Sequence, residues 1–132
     1  MKVVQARRDG NGFKHHVTVR EHDVVVDESR RSGGEDTGPD PQEMLAVALA
    51  SCTAITIEMY ATRKRWNIGD VECEVEYEPA QRGSPTKFHQ TIRLPKELPE
   101  DQRERLMQIA AKCPVHRTLE GEVMFEEELE LK

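Results

Sequence analysis

Apolar and polar residues alternate along Phe13, His15, Val17 and Val19, the two-residue period of a strand with one buried face. Val-rich stretches lie on either side, and together they predict strands over 2–7, 13–20 and 23–27. Asp9-Gly10-Asn11-Gly12 parts the first two, a hairpin signal because both glycines tolerate positive φ. Glu21-His22 parts the second pair. A polar loop follows over 29–40, carrying Gly33-Gly34 and Gly38-Pro39.

The pattern then changes period. Asp40 is a good helix cap, Pro41 suits the first helical position, and Glu43 stands where a capping-box carboxylate belongs. From 44 to 61 the residues are apolar or small on nearly every face, and a helix apolar all round is expected to be buried all round. Running over 41–65, it would measure roughly 37 Å at about 1.5 Å per residue. A helix that long in so small a chain needs a second subunit to cover it.

Val71, Cys73, Val75 and Tyr77 alternate with Glu72, Glu74, Glu76 and Glu78, which predicts a strand with one wet face. A loop over 79–87 leads to a returning strand over 88–94. Pro99 starts a second helix with Leu106, Ile109, Ala110 and Cys113 on one stripe, and Pro114 breaks it. A short helix over 115–119 ends at Gly121, and 123–131 is expected to close the chain as a strand. The order β-β-β-α-β-β-α-α-β predicts an α+β fold in a single domain, 1–132, with an antiparallel sheet and a long central buried helix.

Composition narrows the function. A chain of 132 residues supports one core, and at 5% aromatic content that core rests on Val, Ile, Leu, Met and Ala. A net charge of −6 argues against a nucleic-acid partner, which requires clustered Lys and Arg. Arg63-Lys64-Arg65 reads as a solvated helix end, where cations suit the dipole. The uncharged stretch over 44–57 falls short of the roughly 18 to 20 residues that span a bilayer, so no membrane partner is expected. With no signal peptide evident and an odd number of cysteines, a cytoplasmic, reducing location is expected.

Those cysteines are the candidate chemistry. Cys52 falls three turns inside the long helix, either as a small buried hydrophobe or as a nucleophile whose activating donor must come from another element. Cys113 precedes Pro114, either as the last apolar residue of the second helix or as a thiolate at the start of the short helix, where free N–H groups and the dipole favour one. Cys73 reads as core packing. Cys113 and His116 have a spacing that could seat two zinc ligands, but the second pair a closed site needs is missing, and no metal or organic cofactor is expected. His15 and His16 are adjacent on a strand and point to opposite faces.

Two motifs carry a family resemblance. Gly33-Gly34-Glu35-Asp36-Thr37-Gly38-Pro39-Asp40-Pro41-Gln42-Glu43-Met44-Leu45, continuing to Cys52-Thr53, resembles the loop and central helix of the OsmC/Ohr superfamily. Cys113-Pro114-Val115-His116-Arg117-Thr118-Leu119 resembles its second-cysteine motif. The resemblance implies an intertwined homodimer with its sites at the interface. It also implies a thiol peroxidase for small organic hydroperoxides: Cys52 is peroxidatic, Cys113 resolving, and a dithiol such as a lipoyl-type group is the reductant. The organic-hydroperoxide branch has a glutamate ten residues before the first cysteine. Here that position is Gln42, and Glu43, as in the OsmC-like branch, becomes the candidate orienting carboxylate. Arg20 is the candidate for the branch's thiolate-holding arginine. The replacement by Gln42 keeps two alternatives open, a non-catalytic module binding a hydrophobic ligand at the dimer interface and a redox sensor.

Overall fold

The computed structural model describes residues 2–79 and 81–132. Among the described residues are five strands and three α-helices: β1 (Val4–Arg8), β2 (His15–Val19), β3 (His22–Val26), α1 (Pro41–Arg63), β4 (Glu72–Tyr77), β5 (Phe88–Arg93), α2 (Glu100–Ala110) and α3 (Pro114–Glu120). The chain divides into two compact units, one ending at Val47 and the other starting at Ala48.

In the first unit β1, β2 and β3 form an antiparallel meander, with Ala6 opposite Val17 and Val17 opposite Val24. The alternation read from the sequence sorts its two faces. Val4, Ala6, Val17, Val19, Val24 and Val26 line an apolar concavity of about 670 Å³, which Pro41 and Met44 also border. His15 lines it as well, while His16 lies between Asp9 and Asp23, its Nε2 and Nδ1 2.9 and 3.0 Å from their carboxylates. The adjacent histidines therefore take different environments. Arg20, expected inside a strand, instead sits in the tight β2–β3 turn at φ 54.

The glycine-rich loop is built around a residue not singled out from the sequence, Asp27. Only 2% exposed, its carboxylate accepts hydrogen bonds from the Glu28 N–H (2.7 Å), the Thr37 N–H (3.1 Å) and the Thr37 hydroxyl (2.7 Å). The Thr37 hydroxyl, with its own N–H and that of Glu28, outweighs burial and holds the Asp27 carboxyl at a pKa of about 2. The glycines are required by close approach: a Cβ on Gly34 would stand 2.1 Å from the Glu28 carbonyl oxygen, and one on Gly38 2.4 Å from that of Val25.

In the second unit β4 and β5 pair antiparallel, with Cys73 opposite Ile92. The core gathers Ile57, Ala61, Ile68, Leu98, Leu106 and Ala110, with Tyr60 and Trp66 packed against it. Helix α1 stops two residues before the expected end, because Arg65 turns left-handed (φ 60) and the Trp66 N–H returns to the Ala61 carbonyl.

In the single chain Leu49, Thr53, Ile57 and Ala61 are buried, four residues apart, while Leu45, Ile55 and Met59 are 41%, 53% and 58% exposed, the row a second subunit was expected to cover. One expectation needs correcting: the strand expected over 123–131 does not form. Its alternation is present, but no neighbouring strand takes its backbone groups among the described residues. Val123, Phe125, Leu129 and Leu131 all remain exposed.

Candidate active site

Pro114 produces the geometry of the second cysteine. It cannot continue α2, and it forces an extended backbone on the residue before it, so Cys113 sits at φ −56, ψ 131 as the N-cap of α3. Its sulfur accepts the His116 N–H at 3.5 Å, as a capping oxygen would. The side chain is wholly buried.

Cys52, on α1, is half-buried beside it. Its sulfur lies 4.0 Å from the Thr56 hydroxyl one turn further along the helix. The Cys113 thiol and the Val115 N–H, in the first turn of α3, are near enough to Cys52 to favour its thiolate. A helix interior supplies no donor of its own, so α3 provides what α1 cannot.

The environments split the pair. Burial pushes the Cys52 thiol up, but the Cys113 thiol, the Val115 N–H and the Thr56 hydroxyl outweigh it, and its pKa falls below the ordinary value. For Cys113, burial comes first and the Cys52 partner adds to it, against the His116 N–H and the Thr53 hydroxyl; the net shift is upward. Of the two readings of Cys113, the buried one agrees with the structure: the same helix end acts on both sulfurs, and burial makes Cys113 the harder of the two to deprotonate. Thr53 Oγ1, fully buried without a well-formed hydrogen bond, is the companion of Cys113 in this pocket.

Cys73 is raised by burial, then by the charges of Glu58 and Cys113. All three cysteines are free. Among the described residues no group of three or more His, Cys, Asp or Glu side chains could hold a metal ion. His116 Nδ1 instead lies 3.3 Å from Glu120.

The other two candidates belong to the first unit and have local partners. Glu43 completes the capping box: its carboxylate accepts the Asp40 N–H at 2.8 Å, and Asp40 accepts the Glu43 N–H at 2.7 Å. Arg20 is exposed, its nearest acid being Glu21 at 3.5 Å. Sequence reasoning missed Val115 and Thr56 as donors. Thr56 stands one turn beyond Cys52, a signal that was readable; the reach of the Val115 amide depends on how α3 packs.

The OsmC-like protein family matches residues 33–128, from the glycine loop through both cysteines. The chain belongs to this family. No curated protein matches it. Among solved structures, an osmotic-stress-induced and detoxification response protein from Psychrobacter arcticus shares 21% identity at a TM-score of 0.78, covering 89% of this chain and 88% of that one. An OsmC-like protein from Mycoplasma pneumoniae gives 19% and 0.72, with coverage of 92% and 88%. The organic hydroperoxide resistance protein OhrB of Bacillus subtilis gives 22% and 0.60, with coverage of 92% and 91%. At these identities they establish the α+β fold of antiparallel sheets and three helices. By length and apolar content α1 could cross a bilayer, while Ile57 and Ala61 on it belong to the core of the second unit.

Proposed function

We propose that this OsmC-like protein is a thiol-dependent peroxidase for organic hydroperoxides. One observation carries the reading: the two thiols act on each other's titration, the Cys52 thiol lowered and the Cys113 thiol raised. That is the division of labour the reaction needs. The Cys52 thiolate attacks the terminal peroxide oxygen, the O–O bond breaks, a sulfenic acid forms on Cys52, and the alkoxide leaves as alcohol after taking a proton. Cys113, which has kept its proton, then attacks the sulfenic sulfur. A disulfide forms, and hydroxide leaves as water with that proton. A dithiol reduces the disulfide and is itself oxidised to a cyclic or linear disulfide. No cofactor enters. The Cys113 thiol and the Val115 amide take the activating part for which Glu43 and Arg20 were candidates. Ile55 and Met59, exposed within about two turns of Cys52 on α1, favour an organic over an inorganic peroxide.

The reading includes a homodimer in a reducing, cytoplasmic setting. Leu45, Ala48, Cys52, Ile55 and Met59 follow alternating three- and four-residue steps along α1, the spacing of a helix–helix seam, and Cys52 lies on it. A second α1 laid there would close the thiol pair from water.

Mixing reduced protein with cumene hydroperoxide and counting thiols tests the enzyme reading. Two of the three thiols are expected to disappear in the parent protein and none in Cys52→Ser. If peroxide leaves both Cys52 and Cys113 intact, the reading fails.

A further inference from the structure

The strongest unassigned feature lies where α1 ends beside α2. The Tyr60 hydroxyl accepts a hydrogen bond from Arg105 Nε at 2.9 Å, and Arg105 Nη1 is fixed in turn by the Gln108 side-chain oxygen at 2.9 Å. The Arg105 guanidinium carbon is 5.4 Å from the Tyr60 ring centre and Lys64 Nζ is 5.7 Å from it. Trp66 holds the ring edge-on at 5.7 Å. Arg105, through its hydrogen bond and its charge, then Lys64 and Lys112, draws the Tyr60 phenol pKa down against the effect of burial. Among the described residues no carboxylate pairs with Lys64, Arg105 or Lys112 within 4.0 Å. In a chain of net charge −6, one cation bonds the phenol oxygen, a second lies over its ring, and the charge of a third acts on it.

We propose that Tyr60, Lys64, Arg105 and Lys112 form the docking site for an acidic segment of a partner protein. The fixed guanidinium keeps its outer N–H groups for a carboxylate, and the two flexible ammonium groups accommodate neighbouring ones. An acidic partner is repelled by the rest of this surface and steered to this patch. Lys112 immediately precedes Cys113, and Tyr60 lies about 12 Å along α1 from Cys52. A protein docked here is near the thiol pair, and the identity we assign to it, the carrier of the dithiol reductant, rests on the peroxidase reading.

A short fluorescent oligoglutamate peptide probes the surface on the reduced protein. It is expected to bind, to weaken about tenfold or more in the Lys64→Glu/Lys112→Glu variant, and to raise the Tyr60 titration seen in phenolate absorbance, a change that Tyr60→Phe abolishes. The same double variant, once oxidised, is expected to be reduced normally by dithiothreitol but about tenfold more slowly by a dithiol coupled to the peptide. Equal peptide binding by the parent and the double variant overturns the docking site. So does displacement of the peptide by inorganic phosphate at concentrations no higher than the peptide's own, which assigns the cluster to free phosphate. If peroxide never consumes the thiols, the peroxidase reading and the carrier assignment fail together, and peptide binding alone decides the docking surface.

Discussion

At Cys113 a single sulfur serves three neighbours: it caps α3, it donates toward Cys52, and it fills a closed pocket. Replacing it with alanine removes the donor while leaving the fold its Pro114 turn. The Cys52 pKa is then expected to rise toward that of a free thiol, so alkylation of Cys52 at neutral pH slows and its rate profile moves to higher pH. Iodoacetamide kinetics against pH check this; an unmoved profile would mean that the Val115 amide and Thr56 suffice. Asp27 makes a second residue-scale prediction, with the sign set by its depressed pKa. Its folded-state value of about 2 lies below the ordinary 3.8, so its contribution to stability is present above pH 3.8 and is lost as the pH falls toward 2. Asp27→Asn should lower the melting temperature at neutral pH and flatten the acid limb of the melting profile. The role of Asp27 was not legible in advance: it looked like one more strand-end acid, and its buried position depends on the loop folding back over it.

Among the elements, the long helix and the two hairpins were readable because their signals are local. The Asp40/Glu43 reciprocal bonds and the alternation of β2 and β4 follow from neighbours a few residues apart. The glycine loop was readable as a loop but not as a packed object. Gly34→Ala places a methyl group against the Glu28 carbonyl and the Asp27 carboxylate, and the backbone there cannot yield cheaply. We expect a loss of about 1–3 kcal/mol or more in a urea titration, the range for overpacking a closed site. The 123–131 segment is the opposite case. Its alternation is broken only at Met124 and Glu127, yet a strand exists only when another strand takes its hydrogen bonds, and that condition is not local.

For the whole molecule, the exposed row on α1 is the feature a lone chain leaves unexplained. Ile55→Glu puts a charge in the middle of that row without touching the buried face of Leu49, Thr53, Ile57 and Ala61. Sedimentation of the parent protein is expected to give a dimer, and this variant should shift it to monomer. A variant that stays dimeric would exclude this seam as the interface. The same substitution stands three residues from Cys52, so slower peroxide consumption in the monomer would tie turnover to assembly.

Sequence alone determined the strand and helix periods, the caps, the two cysteine motifs and through them the family, because each depends on residue type and spacing along the chain. Tertiary structure decided the chemistry of the pair. Which sulfur gives up its proton more readily depends on burial and on which amides reach it, and both are consequences of α3 packing beside α1. The unbalanced cations around Tyr60 were visible only in part. Lys64 stood in a basic run that read as an ordinary helix end, while Arg105 and Lys112 arrive from sequence positions more than forty residues away. Charges that far apart in the chain become one site only when folding brings them within Coulombic reach.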